Sequence, residues 1–338
     1  MCLEHKKCCA WISLESMGLP SQGCLRRDSW VSSLSIPIHQ STNHPTLYVD
    51  LPHKKLVCVK NVSSGAFGFI DLGVVETATS QEEVSMKRPI LPGGSLLYEA
   101  CIQKLVHDCL VNRGFPTGAP RPVSIFKLHD QSVCFAMELI QGAITLDKYM
   151  ESIPSSYLPS VIIDCLLQLS SMVWHLHTAL GMNHRDLKPS NFLIVEHAVP
   201  VRRMLTIESE VLEIASRHSL TFIDFGFSCL GSTETHVSDI SLSTVYSKSD
   251  PCPKEGRDMY LFLAFLYIDY HAKLPPKLLS LFEQWLDIPG SNLCTFMRKD
   301  KENSKKWLYF LTGNERVTSF KSCPCRIVRD LRQFMYAS

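Results

Sequence analysis

The chain has 338 residues, 20% of them charged, and a formal net charge of +1. That length suits a two-lobed enzyme of roughly 250 to 300 residues plus an extension. The near-neutral balance excludes a bulk electrostatic pull toward nucleic acid or a membrane surface. The longest apolar run, Met259 to Ile268, is too short to span a bilayer, and Met1 to Lys7 leads into no apolar signal core. The 14 cysteines form no paired C-x-x-C set, so the expectation is buried free thiols in a reducing compartment, without zinc. A soluble intracellular protein of the cytoplasm or nucleus follows.

Residues 1–50 mix Ser, Pro, Cys and His without a sustained period. Ser32 to Ile38 and Asn43 to Pro45 read as loop in a loosely packed extension. Order is expected from Leu56 to Lys60, a β-type run. It continues through Asn61-Val62-Ser63-Ser64-Gly65-Ala66-Phe67-Gly68-Phe69-Ile70 and Asp71 to Val75. Strand, small-residue turn, strand is the layout of a loop whose backbone N–H groups can approach a phosphate, and equally of an ordinary hairpin. Glu83 to Arg88 is a further strand carrying Lys87. After a turn over Pro89 to Gly94, Ser95 can cap a helix over Leu96 to Val106 that carries Glu99. Ser124 to Leu128 and Ser132 to Met137 pair around His129-Asp130-Gln131. Glu138 to Gly142 follows as a connector, and Leu146 to Met150 begins a helix.

Val161 to Leu180 has apolar residues at helical spacing and is expected to be a long buried helix, with His175 and His177 as packing or solvated residues. It delivers the chain to Asn183-His184-Arg185-Asp186-Leu187-Lys188-Pro189-Ser190-Asn191. Six of these residues hold a carboxylate, an ammonium and a carboxamide: a base for a hydroxyl proton, a cation for a phosphate and a ligand for a divalent metal. Phe192 to Val195 and Thr221 to Gly226 read as strands, the second ending in Asp224-Phe225-Gly226. Between them, residues 196–219 look like an insertion with a helical stretch over Ile207 to Ile214. Residues 227–256 are rich in Ser and Thr. Gly256 to Ile268 is a helix expected to be buried, with Asp258 near its start needing hydrogen-bond donors. Leu278 to Trp285 and Ile327 to Met335 are further helical stretches.

Taken together, residues 56–338 resemble the eukaryotic-type protein kinases. His184 to Asn191 matches H-R-D-L-x-x-x-N at every fixed position, and Asp224-Phe225-Gly226 matches D-F-G. Ser63, Gly65 and Gly68 stand at the three glycines of the Gly-rich loop, the first of them replaced. Lys188 resembles the serine/threonine class. No A-P-E triplet follows the activation segment. With the shortened large lobe, this resembles divergent kinases encoded by large DNA viruses.

The resemblance implies an α+β, bilobal fold with a β-rich N-lobe over residues 51–140 and a mainly helical C-lobe over 141–338. It implies ATP and Mg2+ as cofactors and proteins with Ser/Thr acceptors as partners. It also assigns roles. Asp186 is the catalytic base and Lys188 its cationic neighbour, while Asn191 and Asp224 hold the metal. Val62, Ser63, Ser64, Gly65, Ala66, Phe67 and Gly68 cover the phosphates. Ile70, Met137, Glu138 and Ile140 border the adenine, and Lys87, braced by Glu99, holds the α- and β-phosphates. Asp258 binds the catalytic-loop backbone, and Arg185 anchors the activation segment. The competing expectation is a pseudokinase scaffold, suggested by Ser63 and the missing A-P-E.

Overall fold

In the computed structural model the described residues are 38–40, 47–51, 54–65, 68–232, 238–243, 245–247, 249–288 and 290–336. They form two compact units. One runs up to residue 108 and resumes over 119–141, and the other comprises 109–118 and the chain from 142 onward.

The first unit is a seven-stranded sheet in the order β1-β6-β7-β5-β4-β3-β2. Its strands are β1 (Ile38–Gln40), β2 (Leu47–Leu51), β3 (Lys54–Gly65), β4 (Gly68–Thr77), β5 (Gln81–Arg88), β6 (Pro122–Lys127) and β7 (Val133–Glu138). β1 and β2 correct the expectation of loop. Ile38 starts a strand that pairs in parallel with β6, and Leu47 to Leu51 pairs with β3. Three and five residues are too few to show a period in the sequence, and the pairing partner supplies their order. Ser32 to Pro37 and Asn43 to Pro45 lie outside the described residues. Alternation along β5 sends Val84 and Met86 into a core with Leu56, Val75, Phe126, Cys134 and Ala136. The opposite face packs Ile125, Phe135 and Met137 against Ala100 of helix α1 (Leu97–Val111). Lys87, one residue on from Met86, falls on the α1 side.

The second unit is mainly helical. Its helices are α2 (Leu146–Ser152), α3 (Leu158–Leu180), α4 (Arg257–Tyr270), α5 (Pro276–Leu286), α6 (Leu293–Lys299), α7 (Lys301–Thr312) and α8 (Pro324–Tyr336). Every α4 residue except Asp269 is buried, so its apolar residues cover all faces rather than one stripe. α3 is long and apolar enough in composition to cross a membrane, but 72% of that window is buried inside the protein, as in a core helix. It stops at Gly181, whose φ of 58° suits glycine. A Cβ there would also meet the Gly231 carbonyl oxygen at 1.9 Å.

Residues 196–219 are not helical. They belong to a two-stranded ribbon of β10 (Phe192–Ile207) and β11 (Glu210–Phe222), closed by Glu208 and Ser209 with Glu208 at φ 56°. Ile207, Val211 and Ile214 mimic helical spacing, but a two-residue turn and the unbroken pairing from Val201–Ser216 to Ile207–Glu210 decide the outcome. The ribbon is tied to α3 through Asp164, whose Oδ2 accepts from Ser216 at 2.6 Å and lies 2.7 Å from His218 Nδ1. A three-stranded sheet of β9 (Met182–Asn183), β12 (Cys229–Gly231) and β13 (Ser238–Ser241) completes the unit with β8 (Ile144–Thr145), which pairs with β10.

The thiol expectation also needs correction. Cys229 and Cys252 form a disulfide, whereas Cys101, Cys134 and Cys165 are buried free thiols. The pair is 23 residues apart in sequence, a spacing that no local motif reveals.

His175 on α3 is buried, and burial, with the charge of Arg113 adding to it, holds its imidazole down to about 4. The unfolded chain, with an ordinary histidine value, binds more protons between pH 6.5 and 4. The neutral ring's contribution is therefore complete above pH 6.5 and is lost as pH falls to 4. Urea unfolding of His175→Leu beside the wild type is expected to show a shallower acid loss, by on the order of 3 kcal/mol across that window.

Candidate active site

In the sheet unit, β3 and β4 form the hairpin expected at the Gly-rich loop. Its register sets Ser63 opposite Ile70, Ser64 opposite Phe69 and Gly65 opposite Gly68. Ala66 and Phe67 lie outside the described residues. Val62 is exposed. Gly68 has φ 155°, and a Cβ on it would meet the Arg88 carbonyl oxygen at 2.3 Å. Strand packing alone therefore demands this glycine. β4 and β5 place Ile70 opposite Lys87, and β5 and β7 place Lys87 opposite Phe135.

Lys87 is 6% exposed and Glu99 5%. Lys87 Nζ donates to Glu99 Oε1 at 2.5 Å. The short interval of twelve residues suffices because the chain turns tightly, with Gly94 N–H on Leu91 O at 3.0 Å, before α1 begins. Ser95 Oγ accepts from Leu97 N–H at 3.4 Å at that start. An ammonium is costly to bury without a partner, and removing either member of such a pair typically costs about 3–5 kcal/mol. Met137 is buried beside Gln103, whose Nε2 lies 3.2 Å from its Sδ. Glu138 donates its backbone N–H to Arg121 O at 2.9 Å, and Ile140 is half-buried.

In the helical unit, Asp258 organises the loop after β9. Its Oδ2 accepts from His184 N–H and its Oδ1 from Arg185 N–H, each at 2.8 Å, and Asn183 Nδ2 donates to Oδ2 at 3.2 Å. Arg185 has φ 67°, a conformation that costs a non-glycine residue on the order of 1 kcal/mol and persists only when its surroundings hold it. His184 is stacked near Phe222 and Phe225, and burial lowers the pKa of its imidazole.

Beyond the clamp, four hydrogen bonds converge on Asp186, itself 2% exposed. Lys188 Nζ donates to Oδ1 at 3.1 Å and Oδ2 at 2.9 Å, and Asn191 Nδ2 to Oδ2 at 2.8 Å. The fourth bond comes from Tyr309 on α7, with Oη on Oδ1 at 2.5 Å. No local pattern points to Tyr309, which is 123 residues away in the chain.

Asn191 and Asp224 are brought together by the ribbon. They stand 33 residues apart (224 minus 191), yet Phe192 pairs directly with Phe222 and Ile223 N–H bonds Asn191 O at 3.1 Å. The pairs Phe192–Phe222 to Glu196–His218 close the base of the ribbon, and the register shift between Glu196 and Val201 lies beyond them, so the insertion leaves that base in place. Asp224 has φ 64°. The Asn191 amide nitrogen is spent on Asp186 O and Oδ2, and its side-chain oxygen and the Asp224 carboxylate are hard oxygen donors. Such a pair fits magnesium, which takes one or two protein oxygens and completes its shell with phosphate and water. Among the described residues no group of three or more His, Cys, Asp or Glu could hold a metal on its own.

Arg185 Nη2 reaches Asp250 at 2.8 Å, Nη1 reaches Ser241 Oγ at 2.7 Å, and its guanidinium lies 4.9 Å over the Tyr246 ring. Arg257 and Lys254 share Asp250 at 2.6 and 3.1 Å, all four side chains being fully buried. Burial and then the charge of Arg257 lower Lys254 to about 8 and Arg185 to about 10, with Asp250 opposing both shifts. A lone aspartate in a serine-rich segment carries no local pattern that predicts this cluster.

No protein-family model matches the sequence, and no curated protein matches it. Among solved structures, the crystal structure of BubR1 kinase domain is similar at a TM-score of 0.52, over 98% of this chain and 97% of that one, with 15% sequence identity. The fold is therefore kinase-like, with a β-rich N-terminal region and a helical C-terminal region.

Asp250→Ala leaves three buried cations without their shared partner, and a loss of about 3–5 kcal/mol in urea unfolding is expected. Glu213→Ala removes only the exposed pair with Arg202 and is expected to change stability by less than about 0.5 kcal/mol.

Proposed function

We propose that the chain transfers the γ-phosphoryl group of ATP to serine or threonine hydroxyls of proteins. The observation that carries this reading is the clustering of Asp186, Lys188 and Asn191 on a backbone clamped by Asp258. In this reading Asp186 orients the acceptor hydroxyl and takes its proton. Lys188 offsets charge on the transferring group. Asn191 and Asp224 hold magnesium, which when bound neutralises charge on the phosphate oxygens.

Lys87, braced by Glu99, holds the α- and β-phosphates, and the backbone of Val62 to Gly68 covers them. Ile70, Met137, Glu138 and Ile140 border the adenine. Rate enhancement comes from positioning and fixed charge, because this transition state needs little covalent help. The kinase-like fold supports the assignment, as does the buried Lys87–Glu99 pair. Departures from the family pattern favour a source among large DNA viruses and action inside an infected cell.

A second reading, a scaffold that binds nucleotide or partners without efficient catalysis, is favoured by Ser63 at the first glycine position and by the four hydrogen bonds that fill the Asp186 carboxylate. Labelled ATP, magnesium and a panel of basic and acidic proteins separate the two. The wild type is expected to label serine or threonine, and Asp186→Asn to fall about 100-fold or more. Equal labelling by both forms, or none by either, would contradict the enzyme reading.

A further inference from the structure

The proposed chemistry requires a hydroxyl on the Asp186 carboxylate, and the fold already supplies one. Tyr309 Oη donates to Asp186 Oδ1 at 2.5 Å. With two bonds from Lys188 and one from Asn191, that contact fills the roughly four acceptor positions a carboxylate offers. Lys188 and Asn191 belong to the loop itself. Tyr309 is the one hydroxyl among these donors.

The phenol is held by packed structure. Phe227 and Phe265 meet its ring edge-on, each at 6.2 Å between centroids, and Phe265 belongs to the buried helix α4. α7 is secured at both ends. Asp300 accepts from Asn303 N–H at its start, and Lys254 Nζ donates to the carbonyls of Thr312 and Asn314 at its finish, at 2.8 and 3.0 Å. Burial, then the charges of Asp186 and Asp224, raise the phenol far above the ordinary tyrosine range. The hydroxyl therefore keeps its proton and lies within electrostatic reach of both carboxylates. A peptide tyrosine would have to reach Asp186 from outside, whereas Tyr309 is carried there by its own helix. A serine/threonine preference for external acceptors is thus compatible with it.

We propose that Tyr309 is an intramolecular phosphoacceptor of this site, an inference that rests on the phosphotransfer reading above. Tyr309 Oη attacks the γ-phosphorus of MgATP. The Oη–P bond forms as the bond from that phosphorus to the β,γ-bridging oxygen breaks. ADP leaves with the electron pair, and the hydroxyl proton passes to Asp186.

The test incubates the full chain with MgATP over a dilution series, with an external protein acceptor in parallel, and maps phosphate by mass spectrometry. Phosphate is expected on Tyr309 at a rate per molecule that does not change with protein concentration, falling about 100-fold in Asp186→Asn. Label on the external acceptor with Tyr309 unmodified would overturn this inference and leave the phosphotransfer reading standing. A Tyr309 rate that rises with concentration would also overturn it, because transfer would then be between molecules. No label on either would overturn both.

Discussion

The rest of the site depends on one buried carboxylate. Asp258 enters α4 with an apolar helix behind it, and its two oxygens accept the consecutive backbone N–H groups of His184 and Arg185. Those N–H groups have no sheet ladder to satisfy them, and Arg185 sits in a left-handed conformation. A buried N–H or carboxylate left unpaired costs about 1–3 kcal/mol or more. The clamp therefore satisfies both at once and fixes where the next residue, Asp186, projects. Because α4 is buried nearly throughout, its position is set by the core of the unit, and the loop inherits that rigidity.

Two other constraints act on the same loop. The β10–β11 ribbon fixes Asn191 and Asp224 as the two ends of one register, so chain length between them is free to vary. Asp250 gathers Arg185, Arg257 and Lys254, and the same Lys254 secures the end of α7. The chain from β12 to α4, the loop and α7 therefore share one buried charge cluster. Burial first, and the charge of Arg257 second, shift Arg185 and Lys254 downward, while Asp250 opposes both shifts and holds the cluster together.

Much of this was legible in the sequence. The long helix before the loop, the strands flanking Asn191 and Asp224 and the demand of Asp258 for donors follow from periodicity and from the cost of burying charge, whereas the Lys87–Glu99 pairing was implied by the family resemblance. What was not legible involved partners distant in the chain. Ile207 to Ile214 has helical spacing and becomes a ribbon because strand pairing overrides local pattern. Cys229 and Cys252 meet through tertiary structure alone. α7 places Ser304 and Thr312 among its buried residues beside Leu308 and Leu311, so its apolar stripe is weak, and Tyr309 could not be linked to Asp186 without coordinates.

The most direct measurement of the central claim is phosphoryl transfer to protein by Asp258→Asn, in a preparation shown by circular dichroism to be folded. The substitution keeps the size of the side chain but replaces one accepting oxygen with a donor facing a backbone N–H. The account expects the wild type to transfer and the variant to lose most of that transfer, by about 100-fold, with ATP affinity largely retained. Transfer by the folded variant at the wild-type rate would contradict it.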